Sequence, residues 1–132
     1  MKTFLKIIGG FFALILALVI VFCALDFAYY PRYKKSTASF DLTQAEKNDE
    51  ITVMSANVRT WSPTDILKKS WFYRADLTVE KIASVKPDII GFQEVTPLHY
   101  SFLTSHLKGY DNVIQYRDNS PLHEACPVFY NT

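Results

Sequence analysis

Cysteine, glycine and clustered basic charge are all scarce in this chain of 132 residues. Of the two cysteines, Cys23 lies in a long apolar run, which leaves Cys126 without a partner in the polar part, so no disulfide is predicted. Four glycines form no Gly-rich loop, and Gly91 therefore does not indicate a nucleotide site. The absence of a basic tract argues against a large nucleic-acid footprint.

Charge is also divided unevenly, although the formal net charge is only +1. Residues 1–35 hold five basic side chains and one acidic side chain, whereas residues 36–132 hold nine basic and twelve acidic ones. The second part is therefore mildly negative. The length leaves room for one small domain at most.

A long uncharged segment occupies residues 7–25, after a basic start at residues 1–6. As a helix it would extend about 28 Å, close to the thickness of a bilayer core, and it lacks the polar face of a soluble helix. A cleaved signal peptide is the alternative, but Phe22 occupies a place where a cleavage site, or a lipoprotein site at Cys23, prefers a small residue. The segment therefore predicts an uncleaved, single-pass membrane anchor in contact with the lipid bilayer.

The residues that flank this anchor bear on its orientation. Lys2 and Lys6 favour a cytoplasmic N-terminus, while three basic residues after the segment favour the reverse. Because an anchor so close to the start usually leaves the following domain outside, we expect an extracytoplasmic domain. An aromatic belt at the interface is predicted from Tyr29, Tyr30 and Tyr33.

The remaining chain indicates an α/β domain at residues 51–132, joined to the anchor by a polar tether at residues 26–50. Alternating apolar residues predict strands, near-helical apolar spacing predicts helices, and prolines and glycine mark their ends. The predicted order is strand 51–56, helix 74–86, strand 88–92, helix 96–107, and strands 110–117 and 126–130. This order is typical of a layered α/β domain.

Polar side chains stand where the first two predicted strands end. Asn57 closes the first strand and Glu94 closes the second. If the strands are neighbours, the amide oxygen and the carboxylate can face one cavity and offer the oxygen ligands that Mg²⁺ prefers. Spacing alone favours a turn asparagine and a solvated glutamate.

Four segments, in order, resemble the endonuclease/exonuclease/phosphatase superfamily, the deoxyribonuclease-like metal-dependent phosphoesterases. The opening strand VMSANVR at residues 53–59 ends in an asparagine, and PDIIGFQEV at residues 87–95 is similar to the family's Gln-Glu segment. Between them lies SWFYR at residues 70–74, and EACPVFY at residues 124–130 resembles one of the family's paired strands. The resemblance runs from about residue 51 to residue 132.

This resemblance implies a sandwich of two packed mixed sheets flanked by helices, and hydrolysis of a phosphoester with Mg²⁺ or Mn²⁺. In the family the cation binds the scissile phosphate while a histidine–aspartate pair activates water. The resemblance makes Glu94 the metal ligand, and places Asn57 beside it in the metal or phosphate site with a catalytic role. It places Glu124 where some members hold a glutamate that pairs with the catalytic histidine. Arg59 and Arg74 are candidates for binding phosphate.

The family's later motifs, Asp-x-Asn and Ser-Asp-His-x-Pro, do not occur in the chain. His99 and His106 fall in the second predicted helix, where a structural role is the better interpretation. We therefore expect a fragment that is inactive alone, and the sequence leaves the substrate class open. The alternative is a membrane-anchored binding or structural protein that retains the fold without the chemistry.

Overall fold

The computed structural model describes the chain at residues 2–45, 49–62, 64–118 and 123–131. These residues form an α/β structure in which a long apolar N-terminal helix precedes two sheets flanked by helices, as predicted. The helices are α1 (Lys2–Asp26), α2 (Tyr30–Lys34), α3 (Trp71–Val85) and α4 (Pro97–His106). The strands are β1 (Phe40–Asp41), β2 (Val53–Asn57), β3 (Ile89–Gln93), β4 (Leu107–Lys108), β5 (Tyr110–Val113) and β6 (Val128–Asn131).

The larger sheet has four strands in the order β2-β3-β6-β5. β2 and β3 run parallel, whereas β6 is antiparallel to both β3 and β5. The smaller sheet pairs β1 with β4 in parallel. The strand predicted at residues 110–117 is shorter than expected, because after β5 only an isolated bridge at Tyr116 continues the pairing.

Helix α3 connects β2 to β3, as predicted for a crossover between parallel strands. It begins before residue 74 because the Ser70 hydroxyl caps it, accepting a bond from the Phe72 amide at 3.3 Å. Lys86 ends it in the left-handed conformation and Pro87 follows. Because the two strands are parallel neighbours, their carboxyl ends lie at one edge of the sheet.

The core lies between the four-stranded sheet and helices α3 and α4. Its central side chains are fully or almost fully buried and come from α3, α4, β3 and β6: Trp71, Val79, Ile82, Ile90, Phe92, Leu103 and Phe129. The apolar spacing that predicted α3 therefore marks the face that this helix packs on the sheet.

Residues 26–50, predicted to be a tether, connect α1 to the domain, and much of this segment packs against it. Phe40 and Leu42 are buried in the core, and β1 pairs with β4. Gly109, at φ +76, lies so close to Thr43 that an added Cβ would be 2.9 Å from it. These isolated apolar residues dock without any periodic pattern, which is why the sequence indicated only a polar linker.

One helical stretch in the described part of the chain, at residues 6–34, is long and apolar enough to cross a membrane. None of its most apolar window is buried against the rest of the protein. A signal sequence has the same length and composition near an N-terminus.

Candidate functional site

The side chains of Asn57 and Glu94 meet at the carboxyl edge of the larger sheet. Asn57 is the last residue of β2 and pairs in register with Gln93, the last residue of β3. Glu94 follows in the left-handed conformation, at φ +58. The Asn57 Nδ2 group donates a hydrogen bond of 2.7 Å to Glu94 Oε1. The predicted placement of both residues at one edge of the sheet is therefore confirmed.

Each oxygen of this carboxylate and amide has a defined partner. The Thr60 amide donates to Glu94 Oε2 at 2.9 Å, and the Arg59 amide donates to Asn57 Oδ1 at 2.7 Å. The bond from Asn57, followed by that from Thr60, lowers the pKa of Glu94 below its ordinary value of 4.5. Glu94 is therefore ionised at neutral pH and held by the loop after β2.

Arg59 stands at the site, but its guanidinium group is engaged by an aspartate. Its Nε and Nη2 atoms donate to the two carboxylate oxygens of Asp65 at 2.6 Å and 2.8 Å. Asp65 is buried, whereas the side chain of Arg59 is 63% exposed. The bond to Asp65 raises the pKa of Arg59. Phosphate binding by Arg59 remains a prediction, and the pairing shows that this residue also fixes the loop.

Arg74 uses its guanidinium group to hold the same loop through backbone carbonyls. Its Nη1 and Nε atoms donate to the carbonyl oxygens of Val58 at 2.6 Å and Lys69 at 2.7 Å. A longer bond of 3.4 Å reaches the carbonyl of Arg59. Burial lowers the pKa of Arg74. These contacts give Arg74 a structural role, while its predicted contact with phosphate stays untested.

Glu124 lines the same region as Glu94. A cavity of about 480 Å³ is bounded by Asn57, Gln93, Glu94, Gln115, Arg117, Glu124, Ala125 and Cys126. Bridges from Ala125 to Val95 and to Tyr116 fix the backbone beside Glu124. A second cavity of about 420 Å³ lies on the other side and is bounded by Asn57, Arg59, Thr60, Ser62 and Glu94. Asn57 and Glu94 therefore border both cavities.

Two contributors to the site were not predicted from the sequence. The backbone amide of Thr60 and the carboxylate of Asp65 hold the Glu94 and Arg59 side chains. The sequence shows that Asp65 is an aspartate, but its burial and its pairing with Arg59 depend on the tertiary fold.

His99 lies directly behind this edge and is fully buried. Its Nδ1 atom is 2.6 Å from the hydroxyl of Thr96 and accepts a bond from the Thr96 amide at 3.2 Å. Its ring centroid lies 4.2 Å from that of Trp71. Burial lowers the pKa of His99 to about 3. A neutral histidine with these contacts caps α4, which is a structural role.

Three donor atoms at this edge are hard oxygens, two from Glu94 and one from Asn57. Within the described residues no group of three or more His, Cys, Asp or Glu side chains could hold a metal ion. Mg²⁺ commonly takes only one or two carboxylates from a protein and keeps several waters. The ionised carboxylate of Glu94, on an edge that water can reach, is therefore the kind of ligand that Mg²⁺ prefers.

Comparisons with known proteins identify the fold. The solved structure of an endonuclease/exonuclease/phosphatase from Bacteroides vulgatus is 30% identical, with a TM-score of 0.56 over 62% of this chain and 31% of that protein. A functionally unknown conserved protein from Enterococcus faecalis V583 is 20% identical, with a TM-score of 0.54 over 61% of this chain and 31% of that protein. The second likeness concerns the fold alone. Neither a family model nor a curated protein matches the chain.

This chain spans about a third of the length of each of these two solved structures. The matched part of the chain combines the layered α/β fold with 30% identity to the Bacteroides protein. Over that part, the chain has the fold of the endonuclease/exonuclease/phosphatase superfamily, and the resemblance predicted from the sequence is confirmed.

Proposed function

We propose that the chain supplies the metal-binding part of the active site of a membrane-anchored phosphoester hydrolase that uses Mg²⁺ or Mn²⁺. The observation that supports this proposal is the carboxylate of Glu94, ionised and bonded to Asn57 at 2.7 Å on the carboxyl edge of the sheet. Ligands bind at this edge in open α/β sheets.

In this proposal Glu94 holds the cation, with Asn57 beside it. When bound, the ion would supply positive charge that stabilises a phosphoryl group and orients its oxygens. Asn57 fixes the carboxylate, since its amide is held in turn by the Arg59 backbone. We assign to Glu124, on the same cavity, the orientation of the histidine that activates water in the family.

The test of metal binding uses the 132-residue chain in detergent micelles. Titrated Mn²⁺ should broaden the NMR signals of the Asn57, Thr60 and Glu94 amides, because paramagnetic broadening reports even weak binding. Glu94→Gln should abolish this broadening by removing the negative charge. Glu80→Gln is the matched control, since Glu80 is exposed on α3. Equal broadening in the Glu94 variant would refute the assignment of Glu94.

Activity is tested in the full-length protein that contains this chain. Glu94→Gln should lower metal-dependent phosphodiester turnover by roughly a thousandfold, about 4 kcal/mol of transition-state stabilisation. The circular dichroism spectrum should not change, because the side chain lies at a strand end. A binding or structural protein that retains the fold would show no metal-dependent turnover in either form, and that result would overturn the enzyme proposal.

Membrane anchoring by residues 7–25, with an extracytoplasmic domain, is the second part of the proposal. The exposed apolar surface of α1 supports it, since 25 helical residues exceed the length that a bilayer core needs. The protein should stay with membranes through alkaline and high-salt washes. Recovery of a soluble form that begins near Leu25 would show a cleaved signal peptide instead.

A further inference from the structure

An apolar groove lies between the end of the N-terminal helix and the candidate site. It has a volume of about 360 Å³, within the range of ligand pockets, which is about 300–1,000 Å³. Among the residues that the structure describes, no charged side chain lines it, and the lining consists of Phe27, Tyr30, Trp61, Phe72, Thr96, Pro97 and Leu98. We call this feature the juxtamembrane groove.

One wall of the juxtamembrane groove continues the apolar surface of α1. Phe27 and Tyr30 follow α1 directly and are 47% and 41% exposed. The side chains of α1 itself are exposed along its length, from Phe4 to Phe22. Asp26 lies between the apolar run of α1 and Phe27, but it is only 2% exposed. An apolar chain that lies against α1 therefore meets mainly apolar side chains on its way into the groove.

The opposite wall of the groove reaches the candidate site. Trp61 follows Thr60, whose amide binds the Glu94 carboxylate at 2.9 Å. Thr96 lies two residues after Glu94 and also lines the groove. Thr60 and Ser62 border the cavity beside Glu94, while Trp61 between them borders the groove. The short segment at residues 60–62 therefore separates the apolar groove from the polar cavity.

The floor of the groove is held in place by packed rings. The Phe72 ring centroid lies 5.1 Å from that of Phe27 and 5.2 Å from that of Tyr30. Tyr33 packs on the other side of Phe72, also at 5.2 Å, and stacks on Phe102 at 5.0 Å. Such edge and offset contacts stabilise aromatic pairs beyond the area that they bury. The groove is therefore preformed.

We propose that the juxtamembrane groove binds an acyl chain of a bilayer phospholipid, so that the lipid's phosphoester lies at Glu94. This inference rests on the proposed function, which it extends by naming the substrate class. Burial of the chain's methylene groups against aromatic side chains removes apolar surface from water and so stabilises the complex. The charged headgroup finds no partner in the groove lining and is directed to the polar cavity beyond Trp61.

Photo-crosslinking tests the proposal with the 132-residue chain in vesicles of phosphatidylcholine and phosphatidylglycerol. A trace of phosphatidylcholine carries a diazirine in its acyl chain, and mass spectrometry locates the adducts after irradiation. We expect adducts at Trp61, Pro97 or Leu98, in addition to those on α1. Adducts confined to α1 would overturn the proposal. Labelling of the groove by a free photoactivatable fatty acid, with none from the phospholipid, would overturn the bilayer lipid as occupant.

Two variants of one position change the groove in opposite ways. Leu98→Asp places a charge in the groove, and Leu98→Trp fills it while keeping it apolar. Both should reduce adducts at Trp61 at least fivefold without changing those on α1. Leu77→Asp is the matched control, because Leu77 is an exposed leucine on α3 that does not line the groove. If both folded Leu98 variants keep the wild-type adducts at Trp61, the groove does not hold the acyl chain.

The crosslink needs neither metal nor turnover, so it separates this proposal from the one on which it rests. Groove adducts without Mn²⁺ broadening at Glu94 would refute the metal site and retain the lipid groove. Mn²⁺ broadening without groove adducts would refute the lipid groove and retain the metal site.

Discussion

The candidate site and the aromatic cluster around Phe72 are adjacent, yet different forces hold them. At the carboxyl edge, which we call the polar edge, Asn57, Thr60 and Asp65 fix two charged side chains by hydrogen bonds of 2.6 to 2.9 Å. In the aromatic cluster, Phe27, Tyr30 and Tyr33 pack around Phe72 with few polar contacts. The hydrogen bonds of the polar edge orient the two charged side chains, whereas the packed rings of the aromatic cluster contribute buried apolar area.

This difference separates what orients the site from what stabilises the domain. Each of these hydrogen bonds adds only modestly to the free energy of unfolding, because water offers competing bonds in the unfolded chain. They still restrict where an atom lies to a few tenths of an ångström. Apolar packing contributes most of the stability but constrains the orientation of individual side chains only loosely, because the hydrophobic effect is not directional. Changes in the two regions should therefore separate loss of activity from loss of stability.

The aromatic cluster should show the largest effect on stability. Phe72→Ala should lower the free energy of unfolding by about 3 kcal/mol, since a buried ring is removed from between three others. Denaturant titration of the chain in micelles measures this loss. Arg32→Gln, on α2 beside the cluster, is the control: the Arg32 side chain pairs with Asp76 at 3.3 Å but is itself 54% exposed, so the cost should stay below about 1 kcal/mol. Equal losses in both variants would contradict the comparison.

His99 connects the two regions and predicts a dependence of stability on pH. Its pKa in the folded protein is about 3, below the ordinary value of 6.5, because burial disfavours the charged form. The stability that the protein gains from keeping His99 neutral is therefore fully present above pH 6.5 and is lost as the pH falls towards 3. Between pH 7 and pH 5 the free energy of unfolding should fall by about 2 kcal/mol. His99→Asn should remove this part of the slope, and an unchanged slope would show that His99 is not its source.

At the polar edge, Asp65 should affect turnover more than stability. Asp65→Asn leaves one oxygen to accept from Arg59, which loosens the loop whose amides hold Asn57 and Glu94. We expect turnover of the full-length protein to fall about tenfold, or about 1.4 kcal/mol. The KM for Mg²⁺ should rise as well, which a purely structural defect with a normal metal site would not produce. Asp111→Asn, on exposed β5, should leave both values unchanged.

The sequence predicted the elements that carry strong local signals. Period-2 alternation indicated β2, helical spacing indicated α3, and proline and threonine marked the start of α4 at Pro97. The juxtaposition of Asn57 and Glu94 followed from these elements, because parallel neighbours joined by a helix end at one edge. Local patterns were sufficient here since both residues stand at strand ends.

The aromatic cluster and the Arg59–Asp65 pair could not be predicted in the same way. Residues 26–50 have no apolar period, so the docking of Phe40 and Leu42 is decided by the surface that α3 and β4 offer them. Arg74 likewise binds carbonyl groups from two different loops. Such contacts depend on three-dimensional neighbours, and a single sequence does not specify them.

The left-handed backbone of Glu94 limits how this protein can be made more heat-resistant. Only glycine adopts this conformation without a steric cost, which is about 1 kcal/mol for other residues. A search for stabilising substitutions would therefore favour glycine at position 94, and equally at Arg59, which shares the conformation. Under the proposed function, the substitution at position 94 would remove the metal ligand, so thermal stability and catalysis compete for the same backbone position.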